Sequence, residues 1–222
     1  MKEKTLLAQI GADEVCVKVQ CEHGESIAKT ISYDEFLKLL LGNTYSKMSP
    51  YRLGVPEGTY DVMYTEPGEF SLVQIIDAQV FPVHYLDKVY EIPFPRLAFL
   101  TRVHGKKIVK TCVFALKKGK VSDETPLYNY PFGNVYDDGD ICWGGNNINT
   151  NGDALIPRDV AYLPGLFLSA GTNSDLWRRD RVSVPKDTPP LLSSLYETLS
   201  HMDLFSESWL VETTYRVKDL FK

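Results

Sequence analysis

LAFLTRVHGKKIVKTCVFAL, residues 97–116, decides the fold class of this chain. Two runs rich in β-branched and apolar residues, 97–103 and 107–116, flank a turn at His104-Gly105-Lys106. That pattern predicts a β-hairpin. Upstream, Tyr-, Val-, Ile- and Phe-rich segments suit further strands; they span 58–65, 70–76 and 79–86.

The N-terminal residues also favour strands. Residues 5–10 and 14–20 have strand-like composition around a turn. Ser32 with Glu35 three positions later forms a capping box, which predicts a helix over 32–41. Pro93 and Pro95 mark a joint within 87–96. We therefore expect a β-rich N-terminal region over 1–86 with one helix, and a core over 87–222.

The C-terminal end favours helices. Thr188 can cap a helix whose first turn contains Pro189. A second helix is expected from Ser206. Residues 120–175 lack helical periodicity and contain seven glycines, which is typical of a functional loop region. Strands first and helices last predict an α+β fold. The expected buried residues are Leu191, Leu192, Leu195, Tyr196 and Leu199 in the first helix, and Trp209, Leu210, Val217 and Leu220 in the second.

Composition excludes several classes of protein. No apolar run approaches the length of a membrane span, and a net charge of −5 disfavours phosphate-backbone binding, so we expect no membrane and no nucleic-acid partner. Four cysteines are too few for a disulfide framework, and residues 5–10 make a poor signal peptide. A cytoplasmic protein with reduced thiols is expected. Cys16, Cys21 and His23 are only a partial zinc set, so no metal or cofactor is expected.

The residues that carry chemistry lie in PFGNVYDDGDICWG, residues 131–144. Cys142 offers a thiol, which forms thioesters because sulfur is both a strong nucleophile and a good leaving group. Asn134, eight residues earlier, offers an amide that can donate to an oxyanion during acyl transfer. None of the four histidines lies within 35 residues of Cys142. The segment therefore contains two parts of an acyl-transfer site.

This block resembles ubiquitin-conjugating enzymes, in which a His-Pro-Asn motif precedes a stretch like Tyr-x-Asp-Gly-x-Ile-Cys. Asn134, Tyr136, Asp138-Gly139 and Ile141-Cys142 have the same spacing here. Over about residues 93–146 the chain is similar to the bacterial ubiquitin-conjugating-like family that includes PRTRC system protein B. The resemblance implies the ubiquitin-conjugating fold, an antiparallel meander sheet with flanking helices.

The resemblance also implies roles and partners. Cys142 would accept the C-terminus of a ubiquitin-like protein as a thioester, donated by a ThiF-like adenylating enzyme. Asn134 would stabilise the oxyanion when an amine attacks. Asp175, 33 positions after Cys142, matches the acidic residue that the family places near the incoming lysine.

Two features depart from the family pattern. Phe132 and Gly133 replace the His and Pro of the motif. A regular two-residue hairpin at Asp138-Gly139 would set Val135 opposite Cys142 and turn Asn134 to the other face, so the family role requires an irregular loop. The acidic neighbours of the thiol also predict a raised rather than a lowered thiol pKa.

Two other hypotheses stay open at this stage. The same fold can serve as an inactive binding or scaffold subunit, in which Cys142 is a core residue and Asn134 a turn residue. A cysteine hydrolase is the third hypothesis, and it requires a histidine that folding brings against Cys142.

Overall fold

The computed structural model describes residues 5–10, 14–20, 26–32, 56–66, 68–146, 148, 155–186 and 188–222. The chain divides into two compact units, residues 1–51 and residues 52–222. In the first unit, three antiparallel strands form a meander. They are β1 (Thr5–Ile10), β2 (Glu14–Gln20) and β3 (Ser26–Ser32). The two strands predicted at 5–10 and 14–20 are confirmed. The helix predicted over 32–41 lies outside the described residues, apart from Ser32 at the end of β3.

The second unit is built on a six-stranded antiparallel sheet with the order β11-β10-β9-β8-β5-β4. A separate two-stranded antiparallel sheet consists of β6 and β7. The strands are β4 (Thr59–Glu66), β5 (Glu69–Ile76), β6 (Val80–Tyr85), β7 (Lys88–Pro93), β8 (Arg96–His104), β9 (Lys107–Leu116), β10 (Pro126–Tyr128) and β11 (Glu212–Arg216).

The central hairpin of this sheet is β8–β9, as residues 97–116 predict. His104 pairs with Lys107, and Gly105 takes a left-handed φ of +61° in the turn between them. The sheet continues through β5, which pairs with β8 from Glu69↔His104 to Ile76↔Leu97. The division at 51/52 therefore differs from the expected division at 86/87. Pro93 is the last residue of β7, and Pro95 lies between β7 and β8.

Helices in this unit are short. They are α1 (Pro157–Val160), α2 (Leu163–Ser169) and α3 (Leu192–Leu199), with 3₁₀ turns at Arg179–Arg181, Glu207–Trp209 and Val217–Phe221. The first two helices lie inside the stretch predicted to be irregular. Leu191 precedes α3 and is exposed, whereas the other four expected residues of that helix are buried. Within the described ranges, no helix combines the length and apolar character needed to cross a bilayer.

The helix predicted from Ser206 is wrong. Its central residues form β11, which pairs with β10 through Pro126↔Arg216 and Tyr128↔Glu212. Thr213, Thr214 and Tyr215 prefer strand geometry, and pairing with β10 supplies the backbone partners that a helix would otherwise have provided. Val217 and Leu220 are buried as expected, from a 3₁₀ turn. Antiparallel sheets with few helices confirm the α+β class.

Candidate functional site

Asn134 and Cys142 lie directly opposite each other in a short hairpin. Val135 bridges to Ile141, and the Cys142 N–H donates to the Asn134 carbonyl at 2.9 Å. The loop has three residues, Asp137-Asp138-Gly139. The Gly139 N–H donates to the Tyr136 carbonyl at 3.1 Å. Gly139 adopts φ +87°, the left-handed glycine that closes such loops.

The structure therefore corrects the geometric expectation. Neither a two-residue hairpin nor an irregular loop is needed, because one extra loop residue shifts the register by one. Val135 faces Ile141, and both side chains are buried. Asn134 is then opposite Cys142 in the backbone pairing, and Cys142 is half-buried.

The hairpin is attached to the edge of β9. The Ile141 N–H donates to the Thr111 carbonyl and the Val113 N–H donates to the Gly139 carbonyl, each at 2.9 Å. The side chain of Trp143 also bonds to β9, since its indole N–H donates to the Thr111 hydroxyl at 2.8 Å. The sheet thus fixes the backbone on both sides of Cys142.

The side chain of Tyr136 contacts the thiol of Cys142. Its phenol hydrogen-bonds with that thiol, and this contact raises the pKa of Tyr136. Tyr136 is 48% exposed, so it lies at the surface rather than in the core.

The side chain of Asn134 holds a distant segment. Its Nδ2 donates to the Gly171 carbonyl at 2.9 Å, and its Oδ1 accepts from the Asn173 N–H at 3.3 Å. We call this pair of bonds the Asn134 clamp. It is formed by an asparagine at φ +64°, a conformation that asparagine adopts more readily than most residues. The amide nitrogen carries two hydrogens, and the bond to Gly171 uses one of them.

Gly133 allows the close approach that the Asn134 clamp requires. A Cβ on Gly133 would meet the Asn173 carbonyl oxygen at 2.2 Å. The Gly133 backbone also hydrogen-bonds the Tyr196 hydroxyl, which lies 3.2 Å from the Thr172 hydroxyl oxygen. These contacts to residues 171–173 hold the loop although the motif's His and Pro are missing.

Phe132 supports the same loop through packing. It is fully buried, and its ring lies at the centre of an aromatic cluster. The ring centroids are 4.5 Å from Phe94, 5.4 Å from Tyr130, 5.8 Å from Tyr196 and 6.1 Å from Phe205. An apolar contact thus replaces the polar support expected from a histidine. Nothing in the spacing of the sequence identifies Tyr196 as a partner of this loop.

Three acidic residues lie close to Cys142 in the sequence, namely Asp137, Asp138 and Asp140. Two of them are paired with cations. Asp137 is held by Arg181, which also donates to the Val135 carbonyl, and by Arg178 at 2.8 Å. The hydrogen bond from Arg181 lowers the pKa of Asp137. Arg181 is only 5% exposed. The 3₁₀ turn at Arg179–Arg181 therefore attaches the loop of the hairpin to the core. The basic run at 178–181 does not by itself indicate this role, because a basic run on an acidic chain is usually a solvated surface.

Asp140 is the second paired carboxylate. It accepts a hydrogen bond from the Cys112 thiol at 2.8 Å and lies 3.3 Å from the Lys110 Nζ. Burial, followed by the hydrogen bond to Asp140, raises the pKa of Cys112. Cys112 is therefore a buried structural thiol, distinct in environment from Cys142.

Asp175 lines the same cleft as the loop of the hairpin. The cleft has a volume of about 530 Å³, and its walls include Tyr136, Asp138 and Leu176 beside Asp175. A second cleft of about 230 Å³ is lined by Tyr136 and Asp140 together with Lys110. The structure therefore brings all three predicted site residues, Asn134, Cys142 and Asp175, to one region. Their roles in catalysis stay predictions.

The described histidines lie away from the two clefts at the hairpin. Among the described residues, His104 pairs with Glu69 and His201 with Glu197, and no described histidine lines either cleft. In the same residues, no group of three or more His, Cys, Asp or Glu side chains is placed to hold a metal ion. Cys21 and His23 lie outside the described residues.

Comparison with known families agrees with the resemblance. The family model for Prokaryotic E2 family D matches residues 55–211, which cover more than two thirds of the chain and include the 134–142 hairpin. No curated protein and no solved structure matches the sequence. The chain belongs to Prokaryotic E2 family D, and is therefore a bacterial protein of the ubiquitin-conjugating-like type.

Proposed function

We propose that this protein carries a ubiquitin-like modifier as a thioester on Cys142 in a bacterial conjugation system. The observation that supports the proposal most directly is the register of the hairpin. It sets Asn134 opposite a half-exposed Cys142, beside a cleft that Asp175 lines. A ubiquitin-conjugating fold and a cytoplasmic location belong to the same proposal.

Loading is a transfer between two thiols. The thiol of Cys142 attacks the thioester carbonyl carbon on a ThiF-like adenylating enzyme. A C–S bond to Cys142 forms, the C–S bond to the donor breaks, and the donor thiol leaves with the proton. Because the acyl group arrives already activated, Cys142 does not need the depressed pKa of a protease thiolate.

Unloading is an attack by an amine on the Cys142 thioester. The carbonyl oxygen then carries negative charge, which an N–H of Asn134 would stabilise. Asp175 would attract the lysine ammonium into the 530 Å³ cleft. The product is an isopeptide, and the Cys142 thiol is released.

The test does not require the natural partners. A synthetic peptide activated as a thioester at a C-terminal glycine is incubated with the protein, and intact masses are measured. The wild-type protein should gain one peptide mass that dithiothreitol removes. Cys142→Ala should gain none. Cys16→Ser, a change in the other unit, serves as the control and should load normally. A dithiothreitol-sensitive adduct that forms on Cys142→Ala at the wild-type rate contradicts the proposal.

A second measurement isolates the role of Asn134. Asn134→Asp keeps the acceptor oxygen and the tolerance for positive φ, but removes the N–H donors. Loading should be unchanged, whereas attack by free lysine on the loaded protein should slow about 100- to 1000-fold. Tyr196→Phe removes a hydroxyl from the same loop support without touching the amide, so it should slow the attack far less.

A binding or scaffold subunit is the second candidate. It is favoured by the Asn134 clamp, since both polar groups of that amide already bond to backbone. This candidate predicts that Cys142 does not load, although the thiol is half-buried and free.

A further inference from the structure

Lys110 lies on β9, the strand to which the hairpin that contains Cys142 is attached. Cys112 bridges to Asp140 in antiparallel fashion, and the Ile141 N–H donates to the Thr111 carbonyl. Lys110 precedes Cys112 by two residues, and Cys142 follows Asp140 by two. In an antiparallel pair these two steps lead in the same direction and keep the same face. The ladder therefore points both side chains to one side of the sheet.

The amino group of Lys110 is held by Asp140, two residues before Cys142 in the hairpin. Its Nζ lies 3.3 Å from Asp140 Oδ1, and its side chain is 37% exposed. Lys110, Asp140 and Tyr136 line the 230 Å³ cleft, and the phenol of Tyr136 contacts the Cys142 thiol. Lys110 and Tyr136 therefore line one cleft, and the thiol of Cys142 lies against the phenol of that tyrosine.

We propose that Lys110 is a self-modification site, which accepts the acyl group from Cys142 of the same molecule as an isopeptide. This inference rests on the thioester function proposed above. It adds an acceptor within the chain itself, at a position on the other side of Tyr136 from the cleft that contains Asp175.

The step balances without any co-reactant. The neutral amine of Lys110 attacks the thioester carbonyl carbon and forms a C–N bond. The C–S bond to Cys142 breaks, and the thiolate leaves. The amine gives up one proton through the Asp140 carboxylate to solvent, and the thiolate takes up one. Thioester plus amine becomes amide plus thiol.

The protonation state of the Lys110 amino group determines the pH at which the transfer occurs. Burial opposes the ammonium form of Lys110, but the neighbouring Cys112 and Asp140 groups, with Asp138 further away, outweigh it and raise the pKa of Lys110. The amine is then mostly protonated near neutral pH and becomes nucleophilic as pH rises. Loaded protein would persist near neutrality, while self-transfer would accumulate on long incubation or at higher pH.

The experiment again uses the synthetic glycine thioester and the full-length protein. After loading at about pH 9, where more of the lysine amine is neutral, the sample is treated with dithiothreitol and digested for mass spectrometry. The adduct that resists dithiothreitol should map to Lys110, at about tenfold or more over any other lysine, because a held amine has a high effective concentration. Lys110→Arg keeps the charge facing Asp140 and should load normally without forming this adduct. Lys107→Arg, an exposed change on the same strand, is the control and should behave as wild type.

The outcomes separate the two proposals. A protein that loads but yields no resistant adduct at Lys110, or the same resistant adduct yield in Lys110→Arg, overturns self-modification and leaves the carrier function standing. A protein that never loads overturns both. A tenfold dilution should leave the first-order rate of adduct formation unchanged, and a rate that falls with dilution overturns transfer within one molecule.

Discussion

Gly139 is the residue on which the register of the hairpin depends, and Gly139→Ala tests it most sharply. A Cβ at this position would lie 2.3 Å from the Phe114 ring atom Cζ, and the residue has φ +87°. Left-handed backbone costs a residue with a Cβ about 1–2 kcal/mol. Forcing the neighbouring ring to move costs about 1–3 kcal/mol more. The variant should therefore lose about 2–5 kcal/mol in free energy of unfolding.

Gly144→Ala is the matched control. Gly144 also has a left-handed φ, +56°, but a Cβ there meets no atom within 4 Å, so only the backbone cost applies. Urea unfolding followed by tryptophan fluorescence gives both values, because the three tryptophans all lie in residues 52–222. Gly139→Ala should lose about 1–3 kcal/mol more than Gly144→Ala.

Equal losses in the two variants would refute the reasoning, since the contact with Phe114 would then carry no energy. A double-mutant cycle gives an independent check. Phe114→Leu shortens the side chain, so it should cost less in the Gly139→Ala background than in the wild type. An additive cycle would also count against the close packing of Gly139 on this ring.

Three further predictions concern groups around the hairpin. Arg181 holds the pKa of Asp137 below its ordinary value of 3.8. The stability that this pair contributes is therefore present above pH 3.8 and is lost as the pH falls through the lower pKa of the folded state. In Asp137→Asn, the melting temperature should fall less steeply between about pH 5 and 2. Arg181→Met should cost about 1–3 kcal/mol in urea unfolding, because the Val135 carbonyl loses a buried donor. In native alkylation, Cys142 should react quickly, while Cys112 should react only after unfolding, since it is 2% exposed and its pKa is raised; equal rates for the two thiols would contradict their assigned environments.

The parts of the fold that could be predicted are those set by local pattern. The β8–β9 hairpin follows from two apolar runs around a glycine turn. The prediction of a helix from Ser206 was wrong because it depended on helical spacing, which Trp209, Leu210, Val217 and Leu220 fit without forming a helix. In the structure these residues belong to, or directly follow, 3₁₀ turns on either side of an edge strand. Pairing with β10, about 90 residues earlier, decides the outcome, and local spacing does not contain it.

The candidate site also contains a part that local sequence predicts and a part that it does not. The spacing of Asn134 and Cys142 was visible, but Asp-Asp-Gly suits both a two-residue and a three-residue loop, and only the register of the folded hairpin separates them. The partners of Asn134 lie 37 and 39 positions later in the chain. Tyr196 and Arg181 reach the hairpin from segments that are still further along the chain. Contacts of this kind follow from tertiary packing, so a single sequence gives no signal for them.

The attachment of the hairpin to β9 has a consequence for solubility. An unpaired strand edge is a template for pairing with other chains. Residues 139–141 cover β9 at 111–113, and β10 covers it at Ala115. The segment that presents the thiol therefore also shields the sheet from aggregation. Substitutions that detach this hairpin from β9, so that the site accepts bulkier acyl groups, would expose an apolar strand edge. The range of acyl groups that the site accepts and the solubility of the protein therefore cannot be changed independently.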